Sequence, residues 1–233
     1  MKSKYRYLVP NLITFASLIC GVVSILSSAQ GTLVFAGSLI IASYVLDLFD
    51  GAAARRLDAR SEFGLQLDSL VDMVSLGMAP AALLFAHMQA RALPDVFIWP
   101  VVVIIPIAGA FRLARFNLLP PKVSGSTASI GLTISTGGAT MTLAVLSDLV
   151  NDSQFLPDII LLLMPLFVCA LMASTIRFPS LSVVFSGKRR SALLITLIGA
   201  ALIIWPVFQA WFLFNTGYLS VSTARAVYSF RER

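Results

Sequence analysis

The sequence predicts an all-α, polytopic integral membrane bundle of about eight transmembrane helices, and three observations predict it. Of its 233 residues, 58% are hydrophobic and only 12% are charged, against a charged share of about 25% in a soluble domain. Apolar stretches of the length a bilayer demands, about 20 residues, recur along the chain between Gly, Pro and charge clusters. The net charge of +6 comes from basic residues scattered in small groups between these stretches. That pattern reads as membrane topology and not as a nucleic-acid surface, so no nucleic-acid partner is expected.

The expected spans lie near 10–29, 31–56, 62–90, 95–118, 127–149, 157–176, 190–206 and 207–223. Six are long, and the last two, separated by the Trp205-Pro206 break, are short. After Lys2, Lys4 and Arg6 the first apolar stretch runs to about Ser28 without a small-residue cleavage site, so it is expected to stay as a span. With eight spans and both termini cytoplasmic, 16 of 17 basic residues face inward and only Arg91 faces out, beside Asp148, Asp152 and Asp158. Seven spans would send Arg225, Arg231 and Arg233 outside, so the even number is favoured. No linker, low-complexity tract or repeat divides residues 1–233, which are expected to form one membrane domain. Cys20 and Cys169 sit in apolar runs and read as buried free thiols. The single histidine, His87, is expected near the outer surface as interfacial packing, Trp99, Trp205 and Trp211 as interface or core aromatics, and Lys188, Arg189 and Arg190 as an anchor on anionic lipid.

Charged side chains inside spans cost roughly 2.5–3.5 kcal/mol each on insertion scales, so each needs a reason. Asp47 and Asp50 close the second span in VLDLFDGAAARRL, and Asp68 and Asp72 open the third in FGLQLDSLVDMVS. Spacings of i,i+3 and i,i+4 put each pair on one helix face. The short Arg-containing turn between the helices lets both pairs meet at the cytoplasmic end. Four adjacent carboxylates cannot all stay ionised without cations. Two hard divalent ions, Mg²⁺ or Mn²⁺, would hold them and suit an in-line phosphoryl displacement. Gly51 and Gly64 remove side chains where a nucleotide would approach, and Arg55 can pair with a substrate phosphate. Two other readings stand beside this one. The acids could pair with Arg55, Arg56 and Arg60 at the surface, or they could bind the transported ion of a cation carrier, although such a site belongs nearer the bilayer midplane.

Read together, Asp47-x2-Asp50-Gly51-x2-Ala54-Arg55-x8-Gly64-x3-Asp68-x3-Asp72 resembles the complete signature of the CDP-alcohol phosphotransferase family. The resemblance implies a helical membrane enzyme of the cytoplasmic (inner) membrane with its active site facing the cytoplasm. It also implies a homodimer whose carboxylates hold two divalent metals against a CDP diphosphate. By that pattern Asp47, Asp50 and Asp68 would be metal ligands, Asp72 both ligand and general base, and Gly51, Ala54, Arg55 and Gly64 the lining of the CDP site.

The stretch DSLVDMVSLGMAPA, residues 68–81, resembles the pattern of the family's serine-accepting bacterial and archaeal branch, with Leu76 in place of the usual Phe. PNLITFASLICG, FRLARFN and IRFPS agree with it, whereas Ser17 and VSGSTASIGLTIS depart from it. The implied reaction moves the phosphatidyl group of CDP-diacylglycerol onto L-serine, and glycerol 3-phosphate or inositol phosphate are the alternative acceptors. A serine carboxylate needs cationic donors: Arg112 and Arg115 are suitable, and Asn117 could serve the amine or a phosphate. Both arginines could equally be positive-inside anchors. Asn11 and Thr14, one turn apart on the first span, could approach the diphosphate or simply start the helix.

Overall fold

The computed structural model describes residues 4–59, 61–118, 128–150, 155–179 and 207–231. After a short 3₁₀ turn, Lys4–Tyr7, come α1 (Leu8–Ala29), α2 (Leu33–Arg56), α3 (Glu62–Asp72), a π-helical turn (Met73–Met78), α4 (Ala79–Ala90) and α5 (Asp95–Leu118). Then follow β1 (Ala128–Ile130), α6 (Ile134–Val150), α7 (Asp158–Ala173), β2 (Arg177–Pro179) and α8 (Val207–Arg231). Among the described residues, four helical stretches are long and apolar enough to cross a bilayer: Leu8–Ala29, Leu33–Ala54, Glu62–Ala90 and Asp95–Leu118. Ile134–Val150 and Asp158–Ala173 are shorter apolar helices.

Among the described residues the fold is all-helical as expected apart from one ribbon of two three-residue strands, and two expected bounds need correction. β1 and β2 pair antiparallel, with Ser129 opposite Phe178, so the fifth helix starts at Ile134 and not near 127. Gly131, at φ +73°, turns the chain out of β1, a backbone conformation that only glycine adopts without strain. The last helix is not short, because α8 runs 25 residues to Arg231; Gly217 is the only potential breaker in its interior, and a single glycine does not stop a helix held by packing. The expected span 190–206, with Trp205, Lys188, Arg189 and Arg190, lies outside the described residues, as do Arg60 and Lys122.

α1 and α2 are joined by a turn in which Gly31 takes φ +78° and Thr32 bonds back to the Ser27 carbonyl. The face they share is built from small residues: Ser17 meets Ser43 at 2.7 Å, and the Ser24 hydroxyl donates to the Ala36 carbonyl at 2.9 Å. Small side chains and hydroxyl bonds are how helices associate where lipid supplies no hydrophobic drive. α6 is the central helix, with every residue from Gly137 to Asp148 buried, as expected of a helix apolar on all sides. A Cβ on Gly138 would run into the backbone of Leu76 in the π-helical turn.

Polar fastenings hold both ends of this bundle. At the end remote from the acid motif, His87 Nε2 and Arg91 each meet Asp148 Oδ2 at 2.7 Å. The Leu156 amide donates to Asp148 Oδ1 at 2.9 Å, and Arg91 reaches Asp158 at 2.6 Å. His87 and Asp148 are both 0% exposed. His87 is therefore not interfacial packing: a buried imidazole needs a partner, and Asp148 on α6 provides it. At the other end Arg115 donates to the carbonyls of Ala173, Ile130, Met172 and Ser174 at 2.9–3.3 Å. These include the C-terminal carbonyls of α7 that the helix itself leaves unbonded, so Arg115 ties α5 to α7 and the β1–β2 ribbon.

Two predictions follow from these fastenings. Asp148→Asn, which leaves Arg91 without its buried carboxylate, is expected to lower unfolding stability in detergent by about 3–5 kcal/mol, read as a lower Tm. Arg115→Met is expected to remove about 2 kcal/mol through its lost charged hydrogen bonds, read in the same melts and by faster proteolysis after Ala173.

Candidate active site

The acid motif assembles where α2 ends and α3 begins. α2 continues through Gly51 and Ala54 to Arg56, and the chain turns over Asp58, at φ 48°. Ser61 then caps α3 by accepting a bond from the Gly64 amide at 3.0 Å. This tight reversal brings the end of α2 against the first turn of α3. One carboxylate oxygen from each of Asp47, Asp50 and Asp68 lies within 4.8 Å of the others.

Asp72 stands one turn beyond Asp68, immediately before the π-helical turn, and is 9% exposed. It lies within electrostatic reach of Asp47 and Asp68 but outside the grouped set of three. The structure thus separates the four predicted acids into a triad and a neighbour. A π-helical turn carries one residue more than an α-turn and is frequent at functional sites. Here it is held by Ser75, which donates to the Ser17 carbonyl of α1 at 3.1 Å, and by the side chain of Ile134, packed 3.3 Å from where a Cβ on Gly77 would stand.

Each carboxylate of α2 has a hydroxyl from another helix. Thr14 on α1 donates to Asp50 Oδ2 at 2.8 Å, and Ser135, in the first turn of α6, lies close enough to Asp47 to favour its charge. Asn11, one turn before Thr14, places its Oδ1 3.7 Å from where a Cβ on Gly64 would stand, while the capping Ser61 Oγ would be closer, at 3.1 Å. Asn117 at the end of α5 pairs with Ser69 at 3.3 Å, next in sequence to Asp68.

The predicted acceptor residues part company. Arg112 is 6% exposed and faces Asp72 and Asp47. Its Nε is buried without a hydrogen-bond partner in the protein, while its guanidinium lies over the Phe116 ring at 5.7 Å. Arg115, one turn on, is committed to the backbone carbonyls described above. The side chain of Arg55 lies outside the described residues.

Ser135 and Ser69 did not emerge from the sequence as site residues. The run Thr133, Ser135, Thr136 at the start of α6 was the available signal, since hydroxyl residues crowd helix N-termini, and Thr133 does cap the Thr136 amide at 3.2 Å.

The donor set fits a hard divalent cation. It consists of oxygen alone, from three carboxylates close enough to share an ion, at a depth where uncompensated anions would be costly. A buried arginine beside it, with an unpaired N–H, suits an anionic group of a substrate.

Comparison with known proteins accords with this geometry. Residues 7–222 match the family model described as CDP-alcohol phosphatidyltransferase. The chain is 33% identical over 183 residues to a CDP-diacylglycerol–serine O-phosphatidyltransferase of Helicobacter pylori (strain ATCC 700392 / 26695), covering 75% of this chain and 73% of that one. Proteins of the same name from Bacillus subtilis (strain 168) and Methanocaldococcus jannaschii are each 34% identical. Those matches cover 73% of this chain in both cases, with 89% of the first relative and 73% of the second. Span, motif and relatives agree: this integral membrane protein belongs to the CDP-alcohol phosphatidyltransferase family.

Proposed function

We propose that this chain transfers the phosphatidyl group of CDP-diacylglycerol to the hydroxyl of L-serine, giving phosphatidylserine and CMP. The observation that carries this reading is the triad of Asp47, Asp50 and Asp68 with Asp72 and the buried Arg112 facing it. It gains support from relatives named for that reaction at 33–34% identity.

Asp47, Asp50 and Asp68, with Asp72 as a further ligand, would hold two divalent ions, Mg²⁺ or Mn²⁺. When bound, these supply positive charge to the diphosphate oxygens and the departing nucleotide. The chain's own residues do the rest. Gly51, Ala54 and Gly64 leave room for CDP along the α2–α3 reversal, with Asn11 beside Gly64, and Arg55 serves a phosphate. Arg112 offers its unpaired Nε–H to the serine carboxylate, and Asn117 lies on the same side through Ser69. Asp72 takes the proton of the serine hydroxyl. The oxygen attacks the phosphorus that bears diacylglycerol, the bond from that phosphorus to CMP breaks, and CMP departs in line with the bonding electrons. Recognition of the serine carboxylate falls to Arg112 and not to Arg115, whose donors are engaged.

The reading extends to placement: one membrane domain of about eight spans, both termini and the acid end facing the cytoplasm, in the inner membrane, as a homodimer. Basic residues support it. Arg6, Arg56, Arg112 and Arg115 cluster toward the acid end, while Arg91 at the other end is offset by Asp148 and Asp158. α8 begins beside Ser147, where Gln209 bonds its carbonyl, so its C-terminus heads back toward the acid end.

Detergent-purified protein given CDP-diacylglycerol and Mn²⁺ is expected to release CMP when L-serine is added, and Asp72→Asn to lower kcat by about 10²–10⁴. Arg112→Gln is expected to raise KM for serine more than it lowers kcat. CMP release only with glycerol 3-phosphate or inositol phosphate would keep the chemistry and replace the acceptor, and no release with any acceptor would refute transfer.

A further inference from the structure

We infer that Thr14 is a positioning residue for Asp50 and acts on the cation site through that carboxylate, not by touching the nucleotide. The inference rests on the reading of Asp47, Asp50 and Asp68 as cation ligands, and it reassigns a residue that the sequence places beside the diphosphate.

The geometry is specific. Thr14 is 5% exposed and Asp50 6%. The Thr14 hydroxyl donates to Asp50 Oδ2 at 2.8 Å and lies 3.0 Å from the Pro10 carbonyl of its own helix. The bond to its own helix would satisfy the hydroxyl alone, so a second acceptor 36 positions away is a feature of how α1 docks on α2. A β-branched side chain in a helix has few χ1 choices, so the hydroxyl direction is set by the α1 backbone.

That backbone is itself fixed close by. One turn on, Ser17 pairs with Ser43 of α2 at 2.7 Å, and its carbonyl accepts from Ser75 of the π-helical turn at 3.1 Å. At the next turn, a Cβ on Gly21 would stand 2.7 Å from the Ser75 Cα. α1 therefore has no slack with which to swing Thr14 toward a substrate. A hydroxyl that donates to a ligating carboxylate fixes its orientation and so selects which of its lone pairs face a cation. Losing such a partner typically weakens metal affinity about 10–100-fold.

The test uses full-length protein in detergent without nucleotide, titrated with Mn²⁺ while free Mn²⁺ is followed by electron paramagnetic resonance. Thr14→Val and Thr14→Ala, both lacking the hydroxyl, are expected to raise the Kd for Mn²⁺ at least about tenfold, and Thr14→Ser to restore wild-type affinity. Thermal melts establish that each variant is folded. Wild-type Mn²⁺ affinity in a folded Val or Ala variant would overturn the inference, most directly if KM for CDP-diacylglycerol rose at saturating Mn²⁺, which would make Thr14 a nucleotide contact. Equal loss in Thr14→Ser would also overturn it, because packing would then be the cause. Wild-type protein that binds Mn²⁺ but releases no CMP would defeat the transfer reading and leave this one standing. Wild-type protein that binds no Mn²⁺ would defeat the cation site and Thr14's role with it.

Discussion

Three carboxylate oxygens gathered within 4.8 Å at one end of an apolar bundle repel one another, and their depth weakens the solvent screening that would relieve them. The surrounding architecture can be understood as a response to that repulsion. α2 and α3 are joined by a reversal too short to let the acids drift apart, and Ser61 caps the new helix at once. The Thr14 hydroxyl of α1 holds Asp50, Ser135 of α6 stands near Asp47, and Arg112 from α5 faces Asp72 and Asp47. An arrangement so dense in anions and so well supplied with donors is suited to ligands carrying both metal and phosphate.

The same economy of space explains the interior. α6 is buried along its length because it stands against the π-helical turn, α2 and α7 together, and Gly37, Gly137 and Gly138 allow those approaches. Asp148 at the remote end of α6 is the exception to its apolar character, and its ring of partners from α4 and the chain before α7 shows what is required to keep one carboxylate there. The bundle is thus fastened by ion pairs at one end and by arginine-to-carbonyl bonds at the other.

Much of this was legible in the residues. The bounds of α1, α2, α5 and the stretch 62–90 follow from apolar run length and punctuation, and the acid spacings announce a shared face, because both signals are local and helical periodicity is strong. The β1–β2 ribbon was not legible: its strands are three residues each and nearly 50 positions apart, too short for alternation to register. The role of Arg115 was hidden for a related reason. An arginine at a helix end reads alike whether it meets a substrate, a lipid headgroup or a carbonyl, and only the position of α7 decides. His87 was misread because its partner Asp148 lies 61 positions away. Asp72 was correctly placed on the acid face, but the π-helical turn that follows it leaves no sequence signature.

That turn has a consequence for the helix that contains it. Glu62–Ala90 carries Asp68 and Asp72 near its start and His87 near its end, and the wider π winding between them sets the angular phase of one half against the other. Rewinding Met73–Met78 as regular α-helix with all its residues kept would rotate everything beyond it by about 100°. With Asp68 and Asp72 held against α2, His87 would then face away from Asp148; with His87 held, the acids would leave their cluster. The π winding of this short segment therefore acts as a phase constant of the molecule, tying the acid cluster at one end of the bundle to the locking contact at the other although no side chain runs between them.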